Sequence, residues 1–189
     1  MKKFSIAFFD VDHTLTRRST GFWIAIGAVH RGLVPLWSLF SLPFYYLWYR
    51  FGPQVYRNVN SQHLPTEVSV LRGLEKSALQ ELSAHCFSRH IDSELYEDAR
   101  KLISSMRRSG TQIVLATTSL DFIIEPLAKN LGAHAVIANS LEFIDGRTTG
   151  KFNGDLIFGQ GKYDACLNFA RSREVGLSDC AFYSDSIHD

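Results

Sequence analysis

The chain opens on an apolar stretch, residues 4–9 (FSIAFF), whose run of large side chains predicts a short strand buried on both faces. Residues 93–110 (SELYEDARKLISSMRRSG) place Leu95, Ala99, Leu102, Ile103 and Met106 on one helical face. Acids lie early in that stretch, bases late, and Gly110 marks the stop, so it predicts an amphipathic helix. Residues 111–119 (TQIVLATTS) are apolar and β-branched and predict a second strand that ends in hydroxyls. Beyond it the pattern predicts a helix over about 121–131, a short strand at 135–139 (AVIAN), and a hairpin over 141–152 turning at Asp145-Gly146. A further helix is predicted to start near Lys162, and a last strand occupies 180–189 (CAFYSDSIHD), again ending in acids. Strands alternating with helices predict an α/β fold, a parallel sheet covered by helices on both faces.

One segment breaks this alternation. Residues 21–51 are dominated by apolar and aromatic side chains, interrupted at 30–32 (HRG), Pro35 and Pro43, and residues 66–90 turn polar and helical. From 13 to 66 there is no Asp or Glu, while Arg17, Arg18, Arg31, Arg50 and Arg57 all fall there. All three tryptophans (Trp23, Trp37, Trp48) and eleven of the 24 aromatic residues lie in the same span. The shift predicts an inserted helical domain over about 17–92, with the α/β core formed by 1–16 and 93–189.

Composition narrows the class without choosing a partner. The chain has 189 residues, 46% of them apolar and 21% charged, which is globular. A formal net charge of +1 carries no basic footprint, so no nucleic acid is expected. Cys86, Cys166 and Cys180 are few, odd in number and far apart, and read as thiols in a reducing compartment. The N-terminal apolar run is six residues long and ends in acid, unlike a secretory leader, so the expected location is cytoplasmic.

Candidate chemistry follows from where the strands end. Ligands of open α/β sheets bind at the carboxyl ends of parallel strands. The first strand ends in Asp10 and Asp12, the second in Thr117, Thr118 and Ser119, and the last in Asp185 and Asp189. Lys162 opens a helix after a Gly-Gln-Gly loop. Clustered carboxylates are costly to desolvate unless a cation sits among them, and oxygen ligands select a hard ion such as Mg²⁺. Hydroxyls and a lysine beside them suit a phosphoryl group.

On these residues the chain resembles the haloacid dehalogenase superfamily of phosphatases, and within it the phosphoserine-phosphatase-like branch (subfamily IB) with a helical cap. The resemblance rests on "DVDHT" at 10–14, "VLATTSLD" at 114–121, "GK" at 161–162 and "YSDSIHD" at 183–189, four motifs in order. It implies a Rossmann-like core and hydrolysis of a phosphomonoester with Mg²⁺. Asp10 would be the nucleophile forming an aspartyl-phosphate. Asp12 would be the general acid and then the base, its carbonyl touching the metal, with strand alternation pointing the two carboxylates apart. Thr117 would bind the phosphoryl group with Ser119 beside it, and Lys162 would bridge nucleophile and phosphate. Asp185 would be the side-chain metal ligand, and Asp189 would hold metal-bound water or the lysine. His13 stands where the family usually has glycine. The family continues past the position of Asp189 with a helix and a strand, so the resemblance implies a core truncated at its C-terminus.

Other residues carry plainer readings. Thr118 reads as a cap for the following helix, Asp164 as first-turn helix charge, and Cys166 as core. His30, His63, His85, His90 and His134 lack ligand spacing and read as surface or cap residues. Ser186 and His188 lack the elbow that a Ser-His-Asp nucleophile needs.

The acid-free segment admits two readings. It packs on itself and the core as a cap, or a hairpin of 20–30 and 33–50 lies in an anionic membrane interface by its aromatics and arginines. In the second reading residues 20–51 resemble the lipid-phosphate members of the branch, of the phosphatidylglycerophosphate phosphatase C type. The expected substrate is a small phosphorylated metabolite or a lipid headgroup phosphate. The same machinery serves a phosphotransferase, and a catalytically impaired relative would keep the apolar cap as a membrane- or protein-binding module.

Overall fold

The computed structural model describes residues 4–41 and 68–186. Its centre is a four-stranded parallel sheet in the order β3-β2-β1-β6. These strands are β1 (Ile6–Phe9), β2 (Gln112–Leu120), β3 (Ala135–Asn139) and β6 (Cys180–Tyr183). β1 lies in the middle, paired with β2 through Ile6–Gln112 to Phe9–Leu115 and with β6 through Ile6–Cys180 to Phe9–Tyr183. Alternation along β1 and β2 divides the core into two layers. Ile6, Phe8, Val114 and Ala116 pack against Cys166 and Ala170 of one helix (Gln160–Ser172). Ala7, Phe9, Ile113 and Leu115 face the larger cluster on the other side.

The larger face is covered by four helices, α1 (Thr20–His30), α2 (Lys76–Cys86), α3 (Glu97–Arg108) and α4 (Asp121–Leu131). The helix on the opposite face, Gln160–Ser172, is α5. α3 has Glu97 and Asp98 in its first turn and Arg107 and Arg108 in its last, matching the helix dipole. α4 ends at Gly132, whose φ of 63° supplies the left-handed C-terminal residue. Ile24 and Ala28 of α1 and Leu79 and Leu82 of α2 join one cluster with Ile123, Ile124 and Leu127 of α4. Burying each such Leu or Ile contributes about 1.5–3 kcal/mol. α1 and α2 approach closely at Gly27, where a Cβ would lie 2.5 Å from Cys86 Sγ.

β4 (Leu141–Ile144) and β5 (Arg147–Phe152) form a separate antiparallel hairpin. Asp145 and Gly146 both have positive φ, 49° and 77°, as a two-residue I′ turn requires. This hairpin receives the chain where it re-enters the described region. Val68 N–H donates to the Gly150 carbonyl, Gly73 N–H to Thr148 and Lys76 N–H to Gly146, while Arg147 pairs with Glu75.

Several expectations change. Residues 33–41 do not continue as an α-helix. Leu36–Ser41 is a 3₁₀ segment set by Pro35, whose carbonyl accepts from Ser38 N–H and Oγ, and 42–50 lie outside the described residues. The helical stretch of 66–90 resolves into a 3₁₀ turn at Ser69–Leu71, then α2, then a π-helical turn at Phe87–Ile91. β6 stops at Tyr183, short of the expected strand, because Asp185 N–H turns to Thr14 Oγ1. Among the described residues no helix is long and apolar enough to cross a membrane.

Candidate active site

Asp10 is the first residue past β1, and its N–H still donates to the Tyr183 carbonyl at 2.9 Å, so its backbone is held by the sheet. The chain then folds tightly: the N–H groups of Thr14, Leu15 and Thr16 all point to the Val11 carbonyl. His13 takes a φ of 66°, the left-handed conformation natural to glycine, which explains why glycine suits that position. This turn, not strand alternation, separates the two carboxylates. Alternation alone would put residues two apart on one face.

Asp10 is 4% exposed, and its Oδ1 accepts from Lys162 Nζ at 2.8 Å, with the lysine 0% exposed. A buried charge pair of this kind is stable only while both partners are present. Lys162 reaches the pocket from the first turn of α5, and its Nζ also lies 5.4 Å from the Phe182 ring. Asp12 faces elsewhere. Its Oδ1 accepts from Thr20 N–H at 2.6 Å and its Oδ2 from Ser119 Oγ at 2.9 Å. Ser119 therefore holds Asp12, while its own N–H donates to the buried Thr117 Oγ1 at 3.2 Å. The Thr117 hydroxyl keeps its proton as a donor for an anion.

The third group is Thr14. Its Oγ1 lies 3.4 Å from Asp10 Oδ2 and 3.2 Å from Asp185 Oδ1, and accepts from Asp185 N–H at 2.9 Å. One hydroxyl carries one proton, so it serves one carboxylate at a time. Two carboxylates converging on a single donor fit a cation bound by oxygen. Among the described residues no group of three or more His, Cys, Asp or Glu gathers. Mg²⁺ needs no such group, since it is usually held by one or two carboxylates with water and phosphate oxygens. Asp10, Asp185 and the Asp12 carbonyl fit that requirement.

The fold thus brings together Asp10, Asp12, Thr117, Ser119, Lys162 and Asp185, and Asp189 lies outside the described residues, as do His63 and His188. Thr118 does not cap α4; the residue in that position is Leu120, and the Thr118 carbonyl accepts from Asn139 Nδ2 at 2.7 Å. Asp164 lies beyond the first turn of α5 and accepts from Gln160 Nε2. His134 is exposed, as expected of a surface residue, and its Nδ1 also accepts from Ile113 N–H at 3.0 Å. Thr14 sits inside the quoted motif without a role assigned to it. Thr20 and Asn139 gave no signal: Thr20 acts on Asp12 through its backbone N–H, and Asn139's partners are 21 and 18 residues away in sequence. Burial pushes the thiols of Cys86 and Cys180 up from the ordinary range, with the Asp179 carboxylate adding to the rise at Cys180, and so disfavours their thiolates.

A parallel sheet carrying a buried aspartate–lysine pair at its carboxyl edge defines a Rossmann-like α/β protein with an aspartate-centred site. The family model of haloacid dehalogenase-like hydrolases matches residues 7–189, and the chain belongs to that family. It is 30% identical over 128 residues to a phosphoserine phosphatase of Streptomyces coelicolor, covering 68% of this chain and 30% of that one. It is 26% identical over 187 residues to phosphoserine phosphatase SerB1 of Mycobacterium tuberculosis, covering 97% of this chain and 59% of that one. The chain therefore spans less than two thirds of the length of these relatives. A crystal structure of a protein of unknown function from Bordetella pertussis superimposes with a TM-score of 0.77 at 23% identity, over 100% of this chain and 85% of that one.

Proposed function

We propose that the protein is a phosphomonoester hydrolase that works through an aspartyl-phosphate on Asp10. The observation that carries this reading is the buried Asp10–Lys162 pair beside an Asp12 already oriented by two donors. Asp10 attacks phosphorus as the bond to the leaving oxygen breaks, and the Asp12 carboxyl gives that oxygen its proton. Asp12, now a carboxylate, takes a proton from water, whose oxygen attacks phosphorus and frees Asp10. Lys162 and the Thr117 hydroxyl offset the charge of the phosphoryl oxygens. Mg²⁺, held by Asp10, Asp185 and the Asp12 carbonyl, would neutralise phosphoryl charge when bound. Residues 17–92 form the cap that selects the leaving group.

The composition of that cap supports a substrate class. An amino-acid leaving group brings an ammonium that needs a carboxylate, and within 17–92 the acids are confined to Glu67, Glu75, Glu81 and Asp92, with Glu75 paired to Arg147 and Asp92 to Arg100. Of the acids nearby, Glu94 is bound to Arg18, and Asp121 lies in the field of Lys76. The reading is therefore an anionic or apolar phosphomonoester, a lipid headgroup phosphate included. A second observation supports contact with an anionic membrane: Leu36 and Trp37 are each 66% exposed and Phe22 is 44% exposed, in a segment whose charges are arginines.

The test is phosphate release from p-nitrophenyl phosphate, glycerol phosphate, a lysolipid phosphate and phosphoserine, with Mg²⁺ or with chelator. Mg²⁺-dependent turnover that Asp10→Asn abolishes is expected, with phosphoserine the poorest of the four. No release from folded protein overturns the phosphatase reading, and a preference for phosphoserine overturns the substrate class alone.

A further inference from the structure

We infer that Asn139 is a positioning residue that ties the phosphate-binding end of β2 to the loop that delivers Lys162, an inference that rests on the phosphatase reading of the site. β2 and β3 pair regularly up to Ala116–Ile137 and resume at Leu120–Asn139. Thr117, Thr118 and Ser119 therefore stand opposite Ala138 alone, a bulge that turns the hydroxyl residues away from regular pairing. A bulge leaves its backbone poorly fixed unless something else holds it. Here the Asn139 side chain does so, with Nδ2 donating to the Thr118 carbonyl at 2.7 Å.

The other end of the same amide grips a different segment. Oδ1 accepts from Ile157 N–H at 2.8 Å, and Nδ2 lies 3.4 Å from the Ile157 carbonyl. From Ile157 the path to Lys162 is short and rigid. Gly161 N–H donates to Phe158 and Lys162 N–H to Gly159, and a Cβ on Gly161 would meet the Leu156 carbonyl at 2.2 Å. Displacing Ile157 must therefore displace the start of α5 and with it Lys162. One side chain, 7% exposed, couples the two parts that must surround a phosphoryl group.

The chemistry of the position calls for a primary amide. A carbonyl on one side requires a donor and an N–H on the other requires an acceptor, which also settles which way the amide faces. An ionised aspartate offers no donor and meets the Thr118 carbonyl with repulsion. A neutral aspartic acid has the same shape and restores the donor through its O–H. The two states of an Asn139→Asp variant thus separate placement from mere bulk.

The experiment compares wild type, Asn139→Asp and Asn139→Ala in turnover of p-nitrophenyl phosphate between pH 5.5 and 8.5, each normalised to wild type at the same pH. Binding of inorganic phosphate, thermal unfolding and amide exchange at Ile157 are followed alongside. We expect Asn139→Asp to lose at least tenfold in kcat at pH 8 and to regain most of it as the pH falls. Asn139→Ala should lose a similar factor at every pH, with weaker phosphate binding and a thermal midpoint within a few degrees of wild type. Ile157 N–H in the wild type should exchange at least a hundredfold more slowly than the exposed Asp155. A folded Asn139→Ala variant within twofold of wild-type kcat and phosphate affinity overturns the inference. So does rapid exchange at Ile157, which decides the matter if neither variant folds. If the wild type itself lacks turnover, the phosphatase reading falls, and phosphate binding with Ile157 exchange still decides the role of Asn139.

Discussion

Ser119 Oγ donates to Asp12 Oδ2 at 2.9 Å across 107 residues of chain, so a hydroxyl expected on the phosphate is on Asp12, the proposed proton shuttle. With Thr20 N–H on Oδ1, it fixes the direction in which Asp12 can deliver a proton. Removing the hydroxyl leaves one anchor and lets the carboxylate rotate. Ser119→Ala should lower kcat on the order of tenfold to a hundredfold with little change in KM. The loss should grow with leaving-group pKa across a series of aryl phosphates, because poor leaving groups depend most on protonation. Thr20→Val keeps the backbone donor and should cost far less. Equal losses for all leaving groups would contradict a role through Asp12.

The Asp10–Lys162 pair is almost wholly buried, with side-chain exposures of 6% and 0%. Removing one charge strands the other, which costs about 3–5 kcal/mol in such pairs. Lys162→Met should lose that much stability in urea unfolding with chelator present, and should lose turnover. The double variant Asp10→Asn with Lys162→Met should be more stable than the sum of the single losses predicts. Additive losses would mean that the two groups do not share one buried site.

Asp121 opens α4 beside the bulged end of β2, and burial pushes its carboxyl up from the ordinary 3.8. Phe122 N–H, donating to Oδ1 at 2.7 Å, and the field of Lys76 offset this only in part. A carboxyl raised in the folded state binds its proton more tightly there than in the unfolded chain. Its contribution to stability is therefore complete below the unfolded value and fades as pH rises through the folded one. Asp121→Asn keeps an acceptor for Phe122 and sheds the desolvated charge. The variant should be the more stable one at pH 7, and its advantage should vanish as pH falls below about 4, near the unfolded aspartate value. Urea midpoints at several pH values check the sign, and an advantage that grows on acidification would reverse it.

The parts of the fold legible in the sequence are those specified by local pattern. β1 is a continuous apolar run and β3 is apolar up to Asn139, α3 has a strict apolar face with acids first and bases last, and Asp145-Gly146 demands one kind of turn. The residues that meet at the site were legible for a different reason: each stands at a strand end or helix start. What joins them was not. Thr20 on Asp12, Thr14 between Asp10 and Asp185, and Asn139 between Thr118 and Ile157 are contacts of tertiary geometry, which no periodicity encodes. The 3₁₀ path after Pro35 was missed because apolar density cannot separate a helix from a tight turn over six residues.

The exposed side chains of Leu36 and Trp37, with Phe22, bear on where the proposed phosphatase would meet its substrate. A soluble phosphate needs no exposed apolar surface, whereas a lipid headgroup presents its phosphate at an interface. Arg17, Arg18 and Arg31 are exposed in the same acid-free span, and each arginine near an anionic surface contributes about 1 kcal/mol. Glu94 already pairs with Arg18, which reduces that residue's share. Binding to vesicles should therefore favour anionic over neutral lipid. Salt should weaken the arginine contribution and leave the apolar one, so binding should fall at high salt without disappearing. Trp37→Ala should reduce it at every salt concentration, and Arg31→Gln should reduce it mainly at low salt. Co-sedimentation with vesicles of both kinds measures each effect. Failure of folded, monodisperse protein to bind either kind would exclude the interfacial reading and leave a soluble anionic or apolar phosphomonoester as the substrate class.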